Sequence, residues 1–95
     1  MKKMKDRDMH NVKVNFKLIG NKYYHLMDIE QPEEKITESY IANLAGTTAK
    51  REWCDKSLGG YVNYVPMLEE NQFNILKANV ERLGGTVLIV KREEA

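Results

Sequence analysis

Ninety-five residues, 42% hydrophobic and 31% charged, set fifteen Lys and Arg against fourteen Asp and Glu for a formal net charge of +1. A chain of this length supports one core, since cores rarely divide below about 150 residues. The near-neutral balance excludes a uniformly basic nucleic-acid binder and an acidic DNA mimic.

No apolar run approaches the roughly 20 residues that cross a bilayer, and the opening residues show no secretory pattern, so neither a membrane partner nor a leader is expected. The single cysteine, Cys54, excludes an internal disulfide and a multi-cysteine metal site, and it suits a reducing, cytoplasmic setting. The balance is also a cancellation. Residues 1–25 hold seven Lys or Arg and two Asp, whereas residues 26–40 hold one Lys and five acids.

In chain order, residues 1–10 carry Lys2, Lys3, Lys5 and Arg7 against Asp6 and Asp8. This pattern predicts a flexible basic tail ahead of a single α+β domain over residues 11–95. Val12, Val14, Phe16 and Leu18 then alternate with Lys13, Asn15 and Lys17, the period of a half-buried strand. Gly20-Asn21 suits a two-residue primed turn. With Ile19 opposite Lys22, Leu18 faces Tyr23, Phe16 faces His25, Val14 faces Met27, Val12 faces Ile29, and Lys13 meets Asp28. That register puts Tyr23, His25 and Met27 on the core side and Tyr24 and Leu26 on the outer side.

Pro32 fits a first helical position, with Glu33 and Glu34 at the positive end of the dipole. Ile36, Tyr40, Ile41 and Leu44 form its apolar stripe, and Gly46 a stop. Residues 47–60 fit no amphipathic pattern. A short helix capped by Thr48, or a loop, is the favoured expectation, and a strand paired with residues 61–65 is the rival. Residues 61–65 are β-prone and end at Pro66. Glu69 and Glu70 open a helix whose Phe73, Leu76, Val80 and Leu83 share one face, with Gly84-Gly85 as its stop. Residues 86–90 form a strand apolar on both faces, which predicts a covered, central position.

The resulting order predicts a two-layer α+β sandwich. The N-terminal β-hairpin and a β-α-β unit form a four-stranded mixed sheet, with two main helices on one face.

Catalytic chemistry is sparse. His10, His25 and Cys54 are the candidate bases and nucleophile, with His10 in the tail, His25 in the core, and a Cys54–His25 dyad dependent on the fold. Glu33, Glu34 and Glu38 lack further metal ligands. Gly59-Gly60 precedes a strand and Gly84-Gly85 follows a helix, the reverse of a phosphate-cradling order. No catalytic residue, metal or cofactor is therefore expected.

Two surfaces remain. The segment around the chain's one tryptophan offers Lys50, Arg51, Trp53 and Lys56 to a protein partner, since Trp and Arg are enriched at interface hot spots. Ile75, pointing off its helix stripe, is a lesser hint of a contact surface. The outer hairpin face offers Lys13, Lys17, Lys22 and Tyr24 as a stacking platform for single-stranded nucleic acid. The expectation is a non-enzymatic interaction module of inhibitor or adaptor type, of the kind phages and mobile elements encode, acting on a protein partner or as a homodimer. A weak single-stranded nucleic-acid binder is one alternative. A small-ligand or nucleotide pocket at a dimer seam is another.

Overall fold

The computed structural model describes residues 7–55, 57 and 59–94. Its elements run β1 (Lys13–Ile19), β2 (Tyr23–Glu30), α1 (Glu38–Leu44), β3 (Lys50–Trp53), β4 (Tyr61–Tyr64), β5 (Leu68–Glu69), α2 (Glu70–Arg82) and β6 (Thr86–Glu93). A four-stranded mixed sheet has the order β5-β2-β1-β6, with β1 antiparallel to β2 and parallel to β6. The strands β3 and β4 form a separate antiparallel pair. Helix α2 packs on β2, β5 and β6 and touches α1, giving the expected α+β sandwich.

The alternation in β1 buries Val14, Phe16 and Leu18 as its period predicts, but β2 is shifted by one residue. The primed turn forms, with φ of 61° at Gly20 and 53° at Asn21 and Lys22 N–H donating to Ile19 O at 3.1 Å. Lys22 is then an extra residue, so the ladder resumes with Ile19 opposite Tyr23, Leu18 opposite Tyr24 and Phe16 opposite Leu26. Because side chains alternate with period two, this slip exchanges the faces of β2. Tyr24 and Leu26 pack on the core, and Tyr23 and Met27 are exposed. A bulge at Met27 then sets Asn15 opposite Asp28 and Val14 opposite Ile29, which returns Ile29 to the core side. Lys13 meets Glu30 in place of Asp28.

The first helix starts later than Pro32. Thr37 is its N-cap, its side chain accepting from Tyr40 N–H at 3.2 Å. Gln31 shapes the preceding turn instead. Its Oε1 accepts from Lys35 N–H at 3.0 Å and Ile36 N–H at 2.9 Å, and its Nε2 donates to Ile36 O at 2.9 Å. These bonds hold the backbone out of a helical path while Ile36 stays buried. The helix ends as expected at Gly46, with φ of 80°.

Residues 50–53 form a strand, not a helix or loop, so the rival expectation is the observed one. Residues 61–64 pair with it and do not join the main sheet. The place beside β2 goes to β5, beyond Pro66. Helix α2 follows directly under a capping box in which Glu69 and Gln72 bond reciprocally, and it buries Phe73, Leu76 and Val80 as predicted. Strand β6 lies at the sheet edge and is not central, and its Leu88 and Val90 are exposed, so it is not covered on both faces.

Residues 1–6 of the expected tail lie outside the described residues, whereas residues 7–10 belong to the domain. Met9 is fully buried in the core, and its N–H donates to Leu83 O at 2.9 Å. Arg7 N–H donates to the Tyr40 hydroxyl at 3.1 Å, with the guanidinium 5.0 Å from the Tyr40 ring. Gly85 leaves the space that Met9 fills, since a Cβ there would lie 3.1 Å from Met9 O.

Candidate interaction surface

The β3–β4 pair is an arm packed on α1 through β4. Its register sets Trp53 opposite Tyr61 and Arg51 opposite Asn63 on one face, and Lys50 opposite Tyr64 and Glu52 opposite Val62 on the other. Trp53 and Tyr61 meet edge to face, with ring centroids 5.0 Å apart and planes at 76°. The Arg51 guanidinium lies 4.5 Å from the Tyr61 centroid, so a cation caps the pair. Gly60 adopts φ of 86°, a conformation that L side chains rarely take, and the Trp53 indole lies beside it.

The turn itself is closed by Cys54 N–H donating to Gly60 O. Asp55 accepts from Ser57 N–H at 3.0 Å, a bond that holds its carboxyl below the usual value of 3.8 and keeps it charged. Cys54 is half-buried at the end of β3. Lys56, expected as part of this surface, lies outside the described residues.

Trp53 and Tyr61 are each 55% exposed, Met67 is 53% exposed and Tyr64 is 41% exposed. Lys50, Arg51 and Glu52 are exposed beside them. The sequence pointed to Trp53 and its charged neighbours but not to Tyr61, Tyr64 or Met67. Tyr61 joins Trp53 only once residues 50–53 are paired with residues 61–64, and Tyr64 falls on the other face of the pair, opposite Lys50. The available signal was the rival strand expectation, which sets Trp53 near Tyr61.

The outer hairpin face differs from its expected form. Tyr24 points inward and stacks on Phe73, with ring centroids 3.9 Å apart, so it offers no ring to a base. Lys13 is exposed, Lys17 pairs with Glu93 at 3.2 Å, and Lys22 lies 5.5 Å from the Tyr23 ring. Acids interleave with these bases. Asn15, itself buried, donates from Nδ2 to both Asp28, at 2.7 Å, and Glu30.

The histidines stand apart from Cys54. His25 lies half-buried on β2 in the main sheet, and its buried Nδ1 has no partner among the described residues. His10 Nδ1 pairs with Asp8. A groove of about 790 Å³ is lined by Arg7, Asp8, His10, Gln31, Glu33 and Lys35 among others. Its charges answer one another: Asp8 with His10, Glu33 with Lys35 at 3.1 Å, and Arg7 with Lys35 O at 2.7 Å. Among the described residues no three His, Cys, Asp or Glu side chains cluster to hold a metal, and no helix is long and apolar enough to cross a membrane. No protein-family model, curated protein or solved structure matches this chain.

Proposed function

We propose that this protein acts as a non-enzymatic binding module that engages a protein partner through the β3–β4 arm. The observation that carries the reading is the Trp53–Tyr61 pair under Arg51, standing exposed on a strand pair outside the main sheet. Large aromatics next to an arginine are the residue types that dominate interface energetics, and an apolar cluster with a polar rim suits a protein surface. Arg51 over the Tyr61 ring favours a partner with an apolar pocket edged by a carboxylate. Binding by inhibitor or adaptor action follows from occupying that pocket.

The test is the affinity of Trp53→Ala and Tyr61→Ala variants for a purified partner, with folding checked by circular dichroism. Each is expected to weaken binding by about 2 kcal/mol or more. Unchanged affinity in both variants overturns the reading. Single-stranded nucleic-acid binding has less support, because Tyr24 is stacked within the fold and acids stand between the lysines of the outer face.

A further inference from the structure

Strand β6 forms one edge of the four-stranded sheet, and among the described residues no strand pairs with its outer side. The opposite edge, β5, is two residues long and follows Pro66, which are ordinary ways of blunting an edge. Strand β6 is eight residues long and contains no proline.

Its backbone directions follow from the hydrogen bonds to the β1 side. In a parallel pair the N–H and C=O of one residue point to the same neighbour, and alternate residues point to opposite sides. Thr86 N–H donates to Val12 O at 3.0 Å, and Glu93 O accepts from Gly20 N–H at 2.8 Å, so Thr86 and Glu93 face β1. The register slips at Val90, between the Phe16–Ile89 and Lys17–Lys91 pairs. Beyond that slip Lys91 shares the direction of Glu93, and Arg92 presents its N–H and C=O to the open edge.

Side chains add a charge pattern. Lys91 and Glu93 lie beside Lys17 and Ile19 on the helix-free face, where Lys17 pairs with Glu93 at 3.2 Å. Two lysines therefore stand together with one acid. Lys91, Arg92 and Glu94 form no ion pair among the described residues.

We propose that this edge pairs antiparallel with the same edge of a second copy, about a two-fold axis at Arg92. The two Arg92 residues exchange backbone N–H···O bonds. Lys91 of each copy lies opposite Glu93 of the other, bringing a second acid to the Lys17–Lys91 pair. On the opposite face the two Arg92 side chains are a like-charge pair that opposes pairing, offset by Glu94 of each copy lying diagonal to the other copy's Arg92. The occupant is a second copy because Lys91 and Glu93, one residue to either side of Arg92, become each other's opposite-charge partners when the strand is reversed about that residue. The arm packs on α1 and the edge on β1 and α2, so the two surfaces are independent.

Sedimentation velocity on the full chain over about 5–200 µM tests the pairing, with circular dichroism as the check on folding. The wild type is expected to show a concentration-dependent monomer–dimer equilibrium. Lys91→Glu sets the new carboxylate against Lys17 in its own copy but against Glu93 in the other. It is expected to fold and to weaken association about tenfold or more. Combining it with Glu93→Lys restores both contacts and the dimer. Arg92→Pro removes an N–H that β1 does not use, and it is expected to leave a folded monomer. A wild type monomeric throughout, a dimer indifferent to Lys91→Glu or Arg92→Pro, or a double variant as weak as Lys91→Glu alone overturns the proposal.

Discussion

Tyr24 on β2 stacks on Phe73 of α2 with ring centroids 3.9 Å apart and planes within 12°, and Phe16 meets the same Phe73 ring edge-on at 5.2 Å. This three-ring contact joins both strands of the hairpin to the helix layer. It also selects the face of β2 that turns inward, since Tyr24 reaches Phe73 only when Tyr23 and Met27 face out.

Phe73→Ala should therefore be among the most damaging single changes. Removing a buried ring with two aromatic partners is expected to cost about 3–5 kcal/mol in urea unfolding. Tyr23→Ala, at the neighbouring exposed position, is expected to cost less than about 1 kcal/mol. Equal losses at the two positions would contradict the observed register.

Gly84 adopts φ of 97°, and a Cβ there would lie 2.9 Å from Cε1 of the His10 ring. Gly84→Ala carries both backbone strain and a clash, and it is expected to cost about 2–3 kcal/mol. Gly46, at φ of 80° with open space around it, carries the backbone strain alone, for about 1–2 kcal/mol. Thermal melts of Gly84→Ala with and without His10→Ala separate the two causes. The second change should recover the clash and leave the strain.

Gln31→Ala removes the side chain that satisfies two N–H groups and one carbonyl of the turn before α1. The expected loss is about 1–2 kcal/mol. Amide exchange at Lys35 and Ile36 should accelerate, whereas exchange in α2 should follow only the global change.

Asp8 accepts from His10 N–H and pairs with its imidazole, and these bonds hold the carboxyl below its usual 3.8. A folded pKa below the unfolded one means that the contribution is present above about pH 4 and is lost as pH falls through the folded value. An NMR titration of Asp8 should give a midpoint below 3.8. In His10→Ala the midpoint should rise only part of the way, because the backbone N–H, the larger cause, remains.

Trp53→Ala should leave stability within about 1 kcal/mol of wild type, since the indole is largely exposed and its principal contact is Tyr61. A loss of core size, about 3 kcal/mol or more, would mean that Trp53 plugs the domain and is not held out for a partner.

Much of the architecture was legible because the relevant segments carry one dominant period. Val14, Phe16 and Leu18 in β1, and Phe73, Leu76 and Val80 in α2, are buried as their spacing predicts. Helix α1 starts later than Pro32, Glu33 and Glu34 predict, because Gln31 overrides their helix-start pattern with side-chain bonds to the turn. Residues 50–53 have no apolar period to read, as all four are exposed and held as a strand by β4 alone.

The sequence by itself determined a single α+β domain with a mixed sheet, two helix stripes and a Trp53 segment outside the amphipathic pattern. Only the tertiary structure decided which face of β2 is buried, which strands share the main sheet, and where Trp53 stands. The physical reason is that β2 is apolar on both faces, Tyr23 and Met27 against Tyr24 and Leu26, so periodicity leaves two registers. The choice falls to Phe73, a long way down the chain, and to the extra residue at Lys22. The same holds for the arm, whose exposed aromatic pair exists only after residues 53 and 61 are brought opposite one another.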